Sequence, residues 1–218
     1  MLKKSDMKKL FLLLAISMIF VANATSQSFY GGVALGGVTS QVKGDMRVGW
    51  DKFGITAGGF VGLHLNNTFN AQMELKYIQK GSKSDIDNPV AGDPYKIQLG
   101  YVELPLLVSA NLSVIRVNGR PMDWLTFELG ASLDVLLHQQ VYYLGAAENG
   151  PNYFKRVGCS TLVGVKFSFL KRCHIALRSV NSIISIYMGN LSKETCRRFG
   201  SKGVFADNIE LVFFYQLK

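Results

Sequence analysis

The chain predicts an all-β fold: an eight-stranded antiparallel up-and-down transmembrane β-barrel, preceded by a cleaved signal peptide. Three observations carry this. The first two dozen residues have the build of a secretory leader. Long segments behind it alternate apolar and polar residues with a period of two. No apolar run after the leader approaches the ~18 residues of a spanning helix. An exported apolar chain that crosses a membrane without such helices must pair every backbone group internally, so its strands have to close into a barrel.

Composition supports a folded chain. Of 218 residues, 48% are hydrophobic and 18% charged, which excludes the low hydrophobicity of disorder. The three cysteines are too few, and odd in number, for a disulfide scaffold.

The leader begins with Lys3, Lys4, Lys8 and Lys9 and continues in an apolar run from Leu10 to Val21, interrupted by Ser17. Ala22-Asn23-Ala24 offers small residues at the two positions a signal peptidase reads. The expected division is therefore residues 1–24 as signal peptide and 25–218 as barrel domain. The run is too short for a membrane anchor, which needs ~20 residues. Cleavage after Ala24 leaves a net charge of +6. Export makes an anionic lipid surface the natural counterpart of that charge, and not nucleic acid.

Eight strands follow. Residues 29–40 and 52–65 are glycine-rich. Segment 69–77 sets Phe69, Ala71, Met73, Leu75 and Tyr77 against Asn70, Gln72, Glu74 and Lys76. Residues 96–112 open with Ile97, Leu99 and Tyr101 on one face, and a bulge is expected near Pro105, which cannot donate to the ladder. Segment 127–138 opposes Phe127, Leu129, Ala131, Leu133, Val135 and Leu137 to Glu128, Gly130, Ser132, Asp134 and His138. Segment 157–169 opposes Val157, Cys159, Thr161, Val163, Val165, Phe167 and Phe169 to Gly158, Ser160, Gly164, Lys166 and Ser168. Residues 174–188 are ambiguous in phase. The last strand sets Ile209, Leu211, Phe213, Tyr215 and Leu217 against Asn208, Glu210 and Gln216. Most of these strands, at 10–14 residues, suit tilted membrane spans of ~9–11 residues better than a soluble sandwich, whose strands run ~5–6.

Connections alternate in length. Asn66-Asn67-Thr68 and Lys171-Arg172 are tight turns, whereas 41–51, 81–95, 142–153 and 189–206 are long. Short periplasmic turns and long outer loops are the asymmetry of outer-membrane barrels; the connection at 113–123 departs from it. Two aromatic rings are expected, as water–lipid interfaces favour. Tyr77, Tyr95, Tyr101, Tyr153, Phe154 and Tyr187 fall near outer strand ends. Phe29, Phe69, Trp124, Phe127, Phe169 and Tyr215 fall near periplasmic ends.

The segments MELKYIQKGSK, residues 73–83, and YKIQLGYVELPLLV, residues 95–108, resemble the PorT family of small outer-membrane barrels from the Bacteroidetes. A strand ends in Tyr-x-x-Lys-Gly, here Tyr77, Lys80 and Gly81. After a loop comes Tyr-x-Glu-Leu-Pro-Leu, here Tyr101, Glu103, Leu104, Pro105 and Leu106. Phe127, Gly130, Leu136 and Leu137 resemble the family's next strand. The chain departs at its end, where Leu217 replaces the family's usual terminal aromatic. The resemblance implies a porin-like outer-membrane protein. It also raises a type IX secretion component as an alternative, since the family's namesake serves that process.

The polar side chains expected inside are Glu74, Lys76, Glu128, Asp134, His138, Lys166, Arg178 and Glu210, with Glu103 pairing a luminal base such as Lys76. An eight-stranded barrel is just filled by its side chains, so these charges are expected to pair as a luminal plug. The main expectation is a non-enzymatic structural or interaction barrel; the alternatives are a narrow porin or solute channel and a lipid-modifying enzyme. Catalysis has little support. Ser132 and His138 lie about 20 Å apart at ~3.3 Å per residue along one strand, leaving cross-strand Ser160 as the other nucleophile. No catalytic, metal or cofactor residues are assigned. Cys159 is read as free and lipid-facing, with a Cys159–Cys196 pair as the alternative. Lys80 and Lys83 join Asp85, Asp87 and Asp93 in an outer loop. The last loop is basic through Lys193, Arg197, Arg198 and Lys202. The expected partners are outer-membrane lipid and, through these four residues, lipopolysaccharide phosphates.

Overall fold

A computed structural model describes residues 28–43, 52–83, 95–117, 119–143, 146–147, 154–188, 196–198 and 201–217. The expected leader, 1–24, lies outside them. So do Tyr153, Lys193, Asp85, Asp87 and Asp93, and the side chains of Tyr95, Cys196, Arg197, Arg198 and Lys202.

Eight antiparallel strands form the wall: β1 (Phe29–Lys43), β2 (Lys52–His64), β3 (Phe69–Lys83), β4 (Tyr95–Asn111), β5 (Leu125–Tyr143), β6 (Val157–Leu170), β7 (Cys173–Ser182) and β8 (Phe205–Gln216). Each pairs with its chain neighbours, and β8 pairs with β1 from Gly32↔Gln216 to Lys43↔Phe205. That last ladder closes the barrel and removes the sheet edge. The ladders are made of backbone hydrogen bonds, so the side chains decide which face meets which medium. Leu75, Leu106, Leu129, Leu133, Val163, Leu211 and their alternates point outward and are exposed, while Glu74, Glu103, Glu128, Arg178 and Glu210 point inward and are buried. A wall that exposes its hydrocarbon and buries its charge is inside out for water and correct for lipid.

Four sequence expectations change. β3 runs to Lys83, so Lys80 lies inside the barrel and not in a loop. β4 keeps one phase through Pro105, which is itself buried. The bulge falls instead where Gly100 pairs His138 and Tyr101 pairs Leu136, with Leu137 as the extra residue. That bulge reverses the phase of β5: Leu137 and His138 both face out, and Val141 returns inward. His138 therefore leaves the expected inward set; it stacks on the outward ring of Tyr77, centroids 6.2 Å apart. Finally, β7 stops at Ser182, and residues 183–188 fold across the barrel mouth. There Lys155 N donates to Ile186 O at 2.7 Å, Ile186 N donates to Val204 O at 2.9 Å, and Phe154 bridges Tyr187.

The two ends consequently differ in their aromatics. At the short-turn end, Phe29, Phe69, Trp124, Phe127, Phe169 and Tyr215 all face outward and are exposed. At the long-loop end, Tyr101 and Phe154 face inward, 3% and 4% exposed. They join Val38, Val42, Ile78, Ile97, Leu99, Val141, Ile186, Val204 and Ala206 in one apolar cluster. A second inward cluster, Ala34, Phe60, Ala176, Val212 and Phe214, lies toward the short turns.

Candidate functional site

Between the two apolar clusters sits a layer of buried charge. Arg178 on β7 is its hub, 1% exposed. Its Nη1 and Nη2 donate to the Glu74 carboxylate at 2.9 and 2.8 Å, and its Nε donates to Glu128 Oε2 at 2.7 Å. The planar guanidinium suits this two-sided bridging in a way a lysine would not. Lys166 closes the set with Glu128 Oε1 at 2.6 Å and Gln72 Oε1 at 3.1 Å, and Gln72 Nε2 donates to Glu74 at 2.6 Å. A second set lies toward the loops. Lys76 meets Glu210 at 2.5 Å and Glu103 at 3.3 Å. Lys80 pairs with Glu103 and lies 3.9 Å from Asp134. Asp134 accepts hydrogen bonds from Ser132 and Ser160 at 2.6 and 2.5 Å.

The backbone makes room for these side chains. A Cβ on Gly58 would sit 2.6 Å from Lys76 Cα, and one on Gly164 would sit 2.7 Å from Arg178 Cγ. Glycines in neighbouring strands thus leave the space that the long charged side chains occupy. Gly81 has φ +153° and a Cβ there would lie 2.1 Å from Ile97 O, so the Lys80-Gly81 pair places a long cation beside the one residue type its backbone tolerates. Tyr-x-x-Lys-Gly on β3 and Tyr-x-Glu on β4 meet across the ladder: Lys80 reaches Glu103 and lies over the Tyr101 ring, 5.3 Å from its centroid. The aromatic face adds a cation–π contact.

Glu74, Lys76, Glu103, Glu128, Asp134, Lys166, Arg178 and Glu210 are thus all brought into one interior. Gln72 lies inward with Glu74 and Lys76, as its face predicts; Lys80 and Tyr30, whose hydroxyl donates to Gln72 at 3.3 Å, were not anticipated there. Lys80 shares its even parity with Glu74 and Lys76, so extending the strand by one turn of the period would have found it. Around the Ser132, Ser160 and Asp134 group no histidine makes contact among the described residues, and His138 faces out. The nearest serine–histidine contact is elsewhere, between Ser168 Oγ and His174 Nδ1 at 2.8 Å. These two line a cavity of about 150 Å³ at the short-turn end, with Tyr30, Phe60, His64 and Lys166. Among the described residues no group of three His, Cys, Asp or Glu side chains is placed to hold a metal ion. Cys159 and Cys173 are free thiols.

A profile of the outer membrane protein beta-barrel domain matches residues 23–187, seven of the eight strands just described. The chain belongs to this outer membrane protein beta-barrel family. It resides in the bacterial outer membrane, where the family's closed strand ladder is the form a bilayer admits. A solved small barrel shares the fold of this outer-membrane β-barrel protein. Neisserial surface protein A, NspA, is 12% identical, with a TM-score of 0.52 over 87% of this chain and 98% of its own. Ail, the attachment invasion locus protein of Yersinia pestis, solved with the heparin analogue sucrose octasulfate, is 13% identical, with a TM-score of 0.46 over 87% and 99%. CarO of Acinetobacter baumannii is 10% identical, with a TM-score of 0.40 over 83% and 97%. None of the curated proteins matches the chain in sequence.

Proposed function

We propose that the protein is a closed, non-conducting and non-enzymatic barrel of the PorT-like type, made for structure and interaction at the cell surface. One observation supports this above the others: four cations and five carboxylates contact one another across the bore and fill it with paired charge. An ion crossing such a layer would have to break pairs whose separation costs several kcal/mol in a dry interior. The apolar cluster at the loop end adds a second seal. In this reading residues 1–24 are removed on export and 25–218 form the barrel. The wall meets outer-membrane lipid. The basic last loop, through Lys193, Arg197, Arg198 and Lys202, contacts lipopolysaccharide phosphates by charge-assisted hydrogen bonds. The long loops also offer the surface for protein neighbours.

Cross-linking in intact cells, read by mass spectrometry, tests the interaction role. Reproducible cross-links from loop residues to lipopolysaccharide or to a recurring protein neighbour are expected. Cross-links confined to this chain itself would overturn it.

A further inference from the structure

The connection between β4 and β5 is longer than a periplasmic turn requires, and it is built rather than loose. Asn111 Oδ1 accepts from Ser113 N at 2.8 Å, and Asn111 Nδ2 donates to Asp123 O at 3.0 Å, so one side chain ties both ends. Leu112–Val114 form a tight 3-10 turn that redirects the chain. A short hairpin follows, pairing Arg116↔Pro121 and Val117↔Arg120, with Met122 N donating to Ile115 O at 2.9 Å. Gly119 supplies the positive φ of +78° its tip needs.

This preformed hairpin presents hydrocarbon that no described residue covers: Val114 is 77% exposed and Val117 53%, with Ile115 and Trp124 near half. Beside them stand the exposed Arg116 and Arg120. The apolar surface continues the lipid-facing band of its flanking strands, through Val108 on β4 and Phe127 and Leu129 on β5. Trp124, stacked on Phe167 with centroids 6.0 Å apart, marks the level of the aromatic ring. Cations dominate this end: Arg116, Arg120, Lys171 and Arg172 face one carboxylate, Asp123, among the described exposed residues. Apolar side chains interleaved with arginine at an interface are the pattern of elements that lie in the headgroup region and favour anionic lipid.

We infer that the Leu112–Trp124 hairpin is an interfacial anchor that folds down onto the periplasmic leaflet, its valines and isoleucine among the upper acyl chains and its arginines on anionic phospholipid headgroups. The anchor does not depend on whether the barrel conducts. A soluble periplasmic protein is the competing occupant. Continuity with the lipid-facing wall favours the bilayer, because the exposed Val114, Ile115 and Val117 follow within a few residues of the lipid-facing Val108 on β4, and Trp124 leads directly into Phe127 and Leu129 on β5.

The full mature barrel, refolded into vesicles of phosphatidylcholine with or without phosphatidylglycerol, provides the test. Val117→Trp in a Trp50→Phe, Trp124→Phe background gives a single probe, and Val114→Trp gives a second one on the same hairpin; a heat-shifted gel band verifies folding of each. Quenching by lipids brominated near the top of the acyl chains, with protection from acrylamide, is expected. Replacing both arginines (Arg116→Gln, Arg120→Gln) should lower the lipid-bound to water-bound ratio of the hairpin about 25-fold in anionic vesicles, each arginine accounting for about fivefold, and leave it unchanged in pure phosphatidylcholine. Probes open to acrylamide and indifferent to brominated lipid in both vesicles would overturn the anchor and leave the hairpin to a soluble partner. Equal quenching in both vesicles, unaffected by the glutamines, would overturn the role of anionic headgroups.

Discussion

The two ends of this barrel spend their aromatic residues differently. At the short-turn end Phe29, Phe69, Trp124, Phe127, Phe169 and Tyr215 face outward at the lipid interface, while Tyr30, Phe60 and Phe214 line a small vestibule of the lumen. At the long-loop end Tyr101 and Phe154 turn inward, and chain from two connections folds over them. The bilayer anchors one end, while side-chain burial seals the other. The charged layer between them takes part in both: apolar side chains cover it toward the loops, and at the short-turn end Lys166 and Gln72 line the vestibule. A barrel of this width gains its tightness from having both seals, because charge pairs are worth most where water is excluded.

The largest effect should come from the hub. Arg178→Ala leaves Glu74 and Glu128 buried beside a missing cation, and should lower stability by about 3–5 kcal/mol, read as a lower urea midpoint in detergent. Arg178→Lys should recover only part of that, because an ammonium cannot bridge both carboxylates with the same fork. Phe154→Ala should cost about 3 kcal/mol as a buried ring replaced by a cavity. It should also expose the loop end selectively, so limited proteolysis should cut near 183–188 sooner while the short-turn end stays protected. Gly81→Ala, forced against the Ile97 carbonyl, should cost about 1–3 kcal/mol and shift the heat-denaturation temperature of the folded gel band downward. The smallest effect belongs outside the wall. His138→Ala should change stability by less than about 1 kcal/mol, the loss of one ring stack, and should leave lipid A chemistry, read by mass spectrometry, unaltered. A large effect there would mean that β5 does not bulge as described.

Much of this was legible in the sequence because lipid and lumen impose opposite demands on alternate residues. Leu75 and Glu74 differ by one position and by medium. The ring at the short-turn end was legible for the same reason: alternation holds through Phe69, Phe127 and Tyr215 and slips only beside the last short turn, where Leu170 pairs Cys173 and Ser168 pairs His174. The outer end was harder. Gln79-Lys80-Gly81-Ser82 is polar on both faces as the strand rises above the lipid, so it reads as loop although the ladder continues. The extra residue at Leu137 reverses the phase of β5, which no period-two reading anticipates, and carries His138 from the expected lumen to the outside. Tyr101 and Phe154 lie at belt height, yet position along a strand does not say which way a ring points when neighbouring loops cover the mouth. Glycines in β2 and β6 read only as weak strand signal. Their role became visible once Lys76 and Arg178 were seen to fill the space that they leave.

Paired charge and apolar cover fill the bore of this barrel. Current through the purified protein in a planar bilayer tests that most directly: the filled bore predicts a baseline without steady openings under applied voltage, and discrete, long-lived, salt-dependent openings of the wild-type protein would contradict it.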